Sequence, residues 1–198
     1  SHTAALAQIV DAESLASLRR TVRGIVLYTF AFELVGAILL YPFLLGHPDA
    51  ALGPGAEGPL AGAGSTAWAA VFLSVSAFCN AGFTLFRDGV GPLSASWPVG
   101  WTLMVLIVAG GLGFPVLDEL RRWIGQRVRK QRPRRLSLHA RVVLVTTGVL
   151  LAAGAAAFLA LEWNGAMAGR PVHERILTGL FQSVTMRTAG FSTLDFDV

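Results

Sequence analysis

Charge is scarce in this chain. Of its 198 residues only 14% are charged, against 54% hydrophobic, and the mean hydropathy is +0.59. Soluble domains carry roughly a quarter charged residues, so that class is excluded and an integral membrane protein is the reading. Cysteine is nearly absent: the single Cys79 excludes an intrachain disulfide and any cysteine-based metal cluster. His47, His139 and His173 are scattered without ligand spacing and give no metal site. The first residues, SHTAALAQIVDAESL, lack the basic n-region of a secretory signal peptide. The formal net charge of +4 does not point to nucleic acid. Nine of the sixteen basic residues lie in residues 121–141, between two apolar runs, and read as a topology signal.

What the chain does contain is apolar runs of two lengths. Residues 1–23 read as a short amphipathic or irregular lead-in ending in Arg19, Arg20 and Arg23. Residues 24–45 then form a first span, about 30 Å long at 1.5 Å per residue. Residues 46–66, rich in Gly, Pro and Ala, read as a loop that holds Asp49 and Glu57 but no Lys or Arg. AWAAVFLSVSAFC, residues 67–79, is apolar but only about 20 Å long as a helix, which suits a re-entrant pore half-helix better than a span. A second span covers residues 97–117, with Trp97 and Trp101 as interface anchors. After the basic segment 121–141 a third span covers residues 142–163, and a second half-helix residues 173–187. Basic segments belong on the cytoplasmic side, which puts the loops after the half-helices outside.

Each half-helix runs into the same kind of turn. Asn80-Ala81-Gly82-Phe83-Thr84 and Thr188-Ala189-Gly190-Phe191-Ser192 align at an offset of 108, and the order around them is kept: basic segment, span, outer loop, half-helix, glycine turn. The expected fold is therefore an all-α membrane protein built from repeats, a complete one at 24–120 and a partial one at 142–198. Backbone carbonyls can replace the water of a potassium ion, and glycine permits the dihedrals that aim them. Non-helical backbone at membrane depth must line a cavity or be buried in protein. A half-helix entering from outside points a partial negative charge at its turn and favours a cation. The alternative is that both AGF turns are structural and the chain is a non-conducting helical membrane scaffold.

SVSAFCNAGFTLF (74–86), GGLGFPV (110–116), ELVGAILL (33–40) and SVTMRTAGFSTLDF (183–196) resemble the Trk/Ktr/HKT superfamily of potassium transporters. The resemblance implies four repeats around one pore, with this chain supplying the second and the start of the third, and filter glycines at Gly82 and Gly190. It implies potassium uptake across the cell membrane, with K+ held only at the filter carbonyls, no further cofactor and no enzyme activity. A sodium or mixed cation transporter of the same fold is the alternative within the family. Implied partners are the remaining repeats, a second copy in a homodimer, a cytoplasmic nucleotide-binding subunit of the RCK type and membrane lipid. Because the chain begins without Met and stops just past the second turn, a longer parent protein is expected.

Several residues outside the turns draw attention. Glu33 lies inside the first span, where a carboxylate is costly unless paired or wetted; it either meets the ion or braces the filter. Arg187, just before the second turn, is read as a brace binding helix-end carbonyls or an acid. Gly110, Gly111 and Gly113 before Pro115 weaken the second span and mark a possible bend of the inner helix. Asp195 and Asp197 either concentrate cations at the outer mouth or end a solvated loop. The basic segment 121–141 could also dock a regulatory subunit or anionic lipid heads.

Overall fold

The computed structural model describes residues 2–46, 63–86, 90, 96–131, 135–165 and 167–191, with side chains from residue 17 in the first segment and from residue 66 in the second. Among them every regular element is helical: α1 (His2–Gly46), α2 (Ala63–Phe78), α3 (Trp97–Leu112), α4 (Phe114–Val128), α5 (Leu138–Glu162) and α6 (Val172–Val184). A π-helical turn, Thr185–Ala189, continues α6. Two helices are long and apolar enough to cross a membrane, the Ser17–Gly46 part of α1 and α5; α3 and α4 make a third if their bend is counted within one span.

The expected lead-in at 1–23 is not a separate element, because residues 2–23 run into the span as one helix of 45 residues. No Gly or Pro precedes Gly24 and strong helix formers fill the stretch, so nothing local ends the helix. Residues 97–117 do not form one straight helix, and the break falls in the glycine run marked as a possible bend. Gly113 has φ 78 and ψ 157, a region open essentially to glycine alone, and the two arms meet at 109°. Pro115 falls in the first turn of α4, where a missing N–H costs no ladder bond.

α2, α3 and α6 supply most of the core together with the end of α1. Leu73 and Ala77 of α2 and Leu177 and Phe181 of α6 are fully or almost fully buried, against Leu40 and Leu44 of α1 and Leu103 of α3. Outward faces stay apolar, with Phe30, Leu34 and Ile38 of α1 and Val145 and Val149 of α5 more than half exposed. Such faces suit lipid or further membrane protein, not water. Small residues let the backbones approach. A β-carbon on Gly36 would overlap Ser74 Oγ, one on Gly110 would overlap the Phe78 carbonyl oxygen, and one on Gly179 would stand 2.7 Å from Leu159.

α4 turns back against the foot of α1. The Phe114 ring fills the space left by Gly24 and meets Tyr28 edge to face at 5.2 Å, while Tyr28 Oη donates to Asp118 Oδ1 at 3.2 Å. From its other side α4 reaches α5. Ser137 Oγ donates to Glu119 Oε2 at 2.7 Å, its N–H donates to Glu119 Oε1, and the same hydroxyl caps α5 by accepting from the Ala140 N–H. These bonds hold the Glu119 carboxyl below its usual pKa range, the backbone bond most of all.

The glycines separate into packed and open sites, which gives a direct test. Gly110→Ala, by forcing a β-carbon into the Phe78 carbonyl, is expected to cost about 1–3 kcal/mol. Gly148 has nothing within 4 Å of the added carbon, so Gly148→Ala should melt at the wild-type temperature or slightly above. Thermal unfolding of the detergent-solubilised full-length protein compares them, and equal melting would remove the assigned contact.

Candidate functional site

The first turn forms because α2 runs out of ladder partners and its last residues rewind. Asn80 is left-handed at φ 54, a conformation its short polar side chain tolerates, and Gly82 follows at φ 71. The Ala81 N–H reaches back to the Ser76 carbonyl at 2.9 Å, and Ser76 Oγ donates to the Phe83 carbonyl at 2.7 Å. Thr84 Oγ1 donates to the Phe86 carbonyl at 3.1 Å. The second turn is built alike. The Gly190 N–H bonds to the Thr185 carbonyl at 3.0 Å, Gly190 has φ 74, and Thr185 Oγ1 donates to the Phe191 carbonyl at 3.0 Å. Thr185 Oγ1 also accepts from the Phe191 N–H at 2.7 Å.

The two turns touch each other. Thr188 Oγ1 donates to Asn80 Oδ1 at 2.8 Å, a bond between residues separated by 108 positions, the offset that aligns the two phrases. A β-carbon on Gly82 would overlap the Ala189 carbonyl oxygen and stand 3.2 Å from the Gly190 carbonyl carbon, so the backbones meet directly. Ala189 and Phe191 are buried, whereas Ala81, Phe83, Thr188 and Gly190 stay exposed. Ser192, Asp195 and Asp197, and the outer-loop acids Asp49 and Glu57, lie outside the described residues.

Glu33 is tied to α2 at two points. Its backbone carbonyl accepts from Ser74 Oγ at 2.7 Å, and its carboxylate Oε1 accepts from the Cys79 thiol at 3.8 Å, one residue before the turn. Among the described residues, the Arg187 side chain approaches α3. Its Nη2 lies 3.0 Å from where a Gly111 β-carbon would stand, and its Nη1 is buried with no hydrogen-bond partner among the described residues. Gly110 receives the end of α2 and Gly113 makes the break, so the glycines of this run serve three different contacts.

The hydroxyls of Ser76 and Thr185, which hold the Phe83 and Phe191 carbonyls, were not singled out by sequence reasoning, nor was the π turn. The two hydroxyl residues sit one position out of register with the 108 offset, so alignment of the turns hides them. A Ser or Thr about two helical turns before each Phe, within otherwise apolar half-helices, is the signal that could have found them.

Spanning apolar helices around two short buried ones define a multi-pass helical membrane protein. Residues 2–198 match the TrkH family, described as cation transport protein, and the chain belongs to that family, one of transporters and not of enzymes. It is 35% identical over 130 residues to the potassium/sodium uptake protein NtpJ of Enterococcus hirae, covering 65% of this chain and 27% of that protein. It is 32% identical over 187 residues to the Ktr system potassium uptake protein B of Vibrio alginolyticus, covering 92% of this chain and 37% of that protein. The Bacillus subtilis protein of the same name is 29% identical over 177 residues, covering 88% and 35%. The chain thus spans roughly a quarter to two fifths of these relatives' lengths.

The glycines of both turns carry positive φ, but among the described residues only Gly82 is also packed against its neighbour. Gly82→Ala should therefore combine strain of about 1–2 kcal/mol with an overlap, and Gly190→Ala should carry the strain alone. The melting temperature is expected to fall further for Gly82→Ala, and an equal fall would contradict the backbone contact. For Glu33→Gln the bond to Ser74 survives, since it uses the backbone. Cation uptake affinity should be unchanged with less folded protein, whereas altered affinity at matched protein levels would put the carboxylate in the ion path.

Proposed function

We propose that this chain forms two neighbouring sectors of a cation pore that takes up potassium across the cell membrane, with ions passing the backbone carbonyls of the turns at 80–84 and 188–192. One observation carries the reading: two glycine turns at equivalent repeat positions, each ending a short buried helix, meet backbone to backbone through Gly82 and Ala189. Irregular backbone at membrane depth is stable only where protein or a water-filled path surrounds it, so paired turns suit a pore lining. The C-terminal ends of α2 and α6 add about half a negative charge each at the turns, which favours a cation. Carbonyl dipoles, unlike a carboxylate, bind a dehydrated ion loosely enough to release it. The names of the relatives, potassium uptake and potassium/sodium uptake, support the same substrate class.

In this reading the remaining repeats complete the pore, a second copy makes a homodimer, and a cytoplasmic nucleotide-binding subunit of the RCK type regulates it. The turns face outward and the basic segment 121–141 faces the cytoplasm, in line with the positive-inside rule. The bend at Gly113 lies on the inner helix, and Glu33 and Arg187 support the turns from behind. Sodium or mixed cation passage is the second reading, favoured by the potassium/sodium description of the Enterococcus protein.

The test is potassium-limited growth of an uptake-deficient bacterium carrying the full-length gene, wild type beside Gly82→Asp and Gly190→Asp at matched membrane levels. Rescue by wild type and loss in both variants is expected. Rescue indifferent to both substitutions would leave the scaffold alternative, and a wild type that carries sodium but gives no potassium rescue would select the second reading.

A further inference from the structure

A groove of about 1080 Å3 opens between the Arg-bearing part of α1 and α4, away from the turns. It is at the upper end of ordinary ligand pockets, which run about 300–1,000 Å3. Its floor is apolar, formed by Leu27 and Phe32 of α1 and Leu117 and Ile124 of α4, and its rim carries Arg20, Arg121 and Arg122. Asp118 is the one acid in the lining. It is shared by Tyr28, Arg121 at 3.4 Å and Arg122. Three guanidinium groups against one carboxylate leave a positive excess, and the Arg121 and Arg122 side chains remain 70% and 68% exposed.

We infer that this groove holds a membrane phospholipid with an anionic headgroup, its phosphate at the arginine rim and an acyl chain along the apolar floor. Three observations select this occupant. Because α3 and α4 meet at 109°, α4 lies near the membrane plane when α3 runs across it, which sets its arginines at headgroup depth. Guanidinium forks suit phosphate oxygens, and a basic pocket between helices at the membrane boundary is the setting in which anionic headgroups bind. The floor also continues upward: Leu27, Phe30 and Leu34 of α1, at helical spacing, are 58%, 67% and 62% exposed and form a track for a chain. An inorganic anion would use the rim and leave floor and track uncovered. The inference needs the membrane placement of the helices and a groove that the remaining repeats leave open, and is independent of ion selectivity.

The experiment reconstitutes the full-length protein in nanodiscs of mixed phosphatidylcholine and phosphatidylglycerol and counts retained lipid by native mass spectrometry. Wild type should retain phosphatidylglycerol in preference. Arg121→Gln with Arg122→Gln should lower that retention about tenfold. Arg129→Gln with Arg135→Gln, which removes the same charge from residues outside the groove, should leave it unchanged. Gly125→Leu keeps every charge and adds its side chain in open space on the groove wall, so the helix is not strained but the groove is filled. It should lower phosphatidylglycerol retention by a similar factor. Absence of headgroup preference in the wild type, equal loss from both arginine pairs, no effect of Gly125→Leu, or displacement of the lipid by inorganic phosphate would each overturn the site. Since lipid is counted directly, a failure here leaves the growth test of the pore untouched, and the reverse holds.

Discussion

The contact between the Gly82 backbone and the Ala189 carbonyl sets the terms for the rest of this molecule. Inside a bilayer a turn has no water to satisfy its N–H and C=O groups, and each unsatisfied group costs several kcal/mol. Several of the turn groups are met by other protein groups. Ser76 and Thr185 reach forward to the carbonyls of Phe83 and Phe191, Asn80 accepts from Thr188 across the gap, and the helix-end N–H groups of Ala81 and Gly190 reach back one wide turn. With the turns held this way, α2 and α6 end where the turns meet, and α3 packs against α1, α2 and α6.

That arrangement explains why small residues matter unequally. Gly36, Gly110 and Gly179 each stand where another helix leaves no room for a β-carbon, and all three contacts involve a short helix: Ser74 and Phe78 belong to α2, and Gly179 itself to α6. Among the described residues nothing stands within 4 Å of a β-carbon on Gly125 or Gly148. Composition alone presents these as one glycine-rich membrane sequence. Only their neighbours distinguish a glycine that admits a backbone from one that faces outward.

The membrane class, the helical runs and the two glycine phrases were legible in the sequence because each rests on local composition or on self-similarity. The bond from Thr188 to Asn80 joins positions that the alignment of the phrases already pairs. Other features depend on what sequence periodicity does not carry. The helix through residues 2–23 continues because nothing stops it, and an amphipathic or irregular lead-in reads much the same on paper. Gly110, Gly111 and Gly113 marked a weak segment, but the 109° angle follows from one residue's φ and ψ. Thr185 stands one position off the 108 offset from Ser76, so the hydroxyls that hold the two Phe carbonyls lie at unequal distances from their phrases. The approach of the Arg187 guanidinium to Gly111 is likewise a contact between distant parts of the chain that no local pattern announces.

Charge placement narrows what the proposed ion path can be. Both phrases, NAGFT and TAGFS, are free of ionisable side chains. Among the described residues, the Glu33 carboxylate accepts from the Cys79 thiol beside the first turn, and the Arg187 guanidinium lies against Gly111 of α3 beside the second. A carboxylate on the path would hold a dehydrated cation by full-charge attraction in a low dielectric, where release becomes slow, and a guanidinium would repel it. Among the described residues, the groups that meet between the turns are backbone carbonyls, the Asn80 amide and the Thr188 hydroxyl. Their dipoles can replace part of an ion's hydration without trapping it. The same polar groups also hydrogen-bond the two turns to each other, so the geometry that would bind the ion is fixed before the ion arrives.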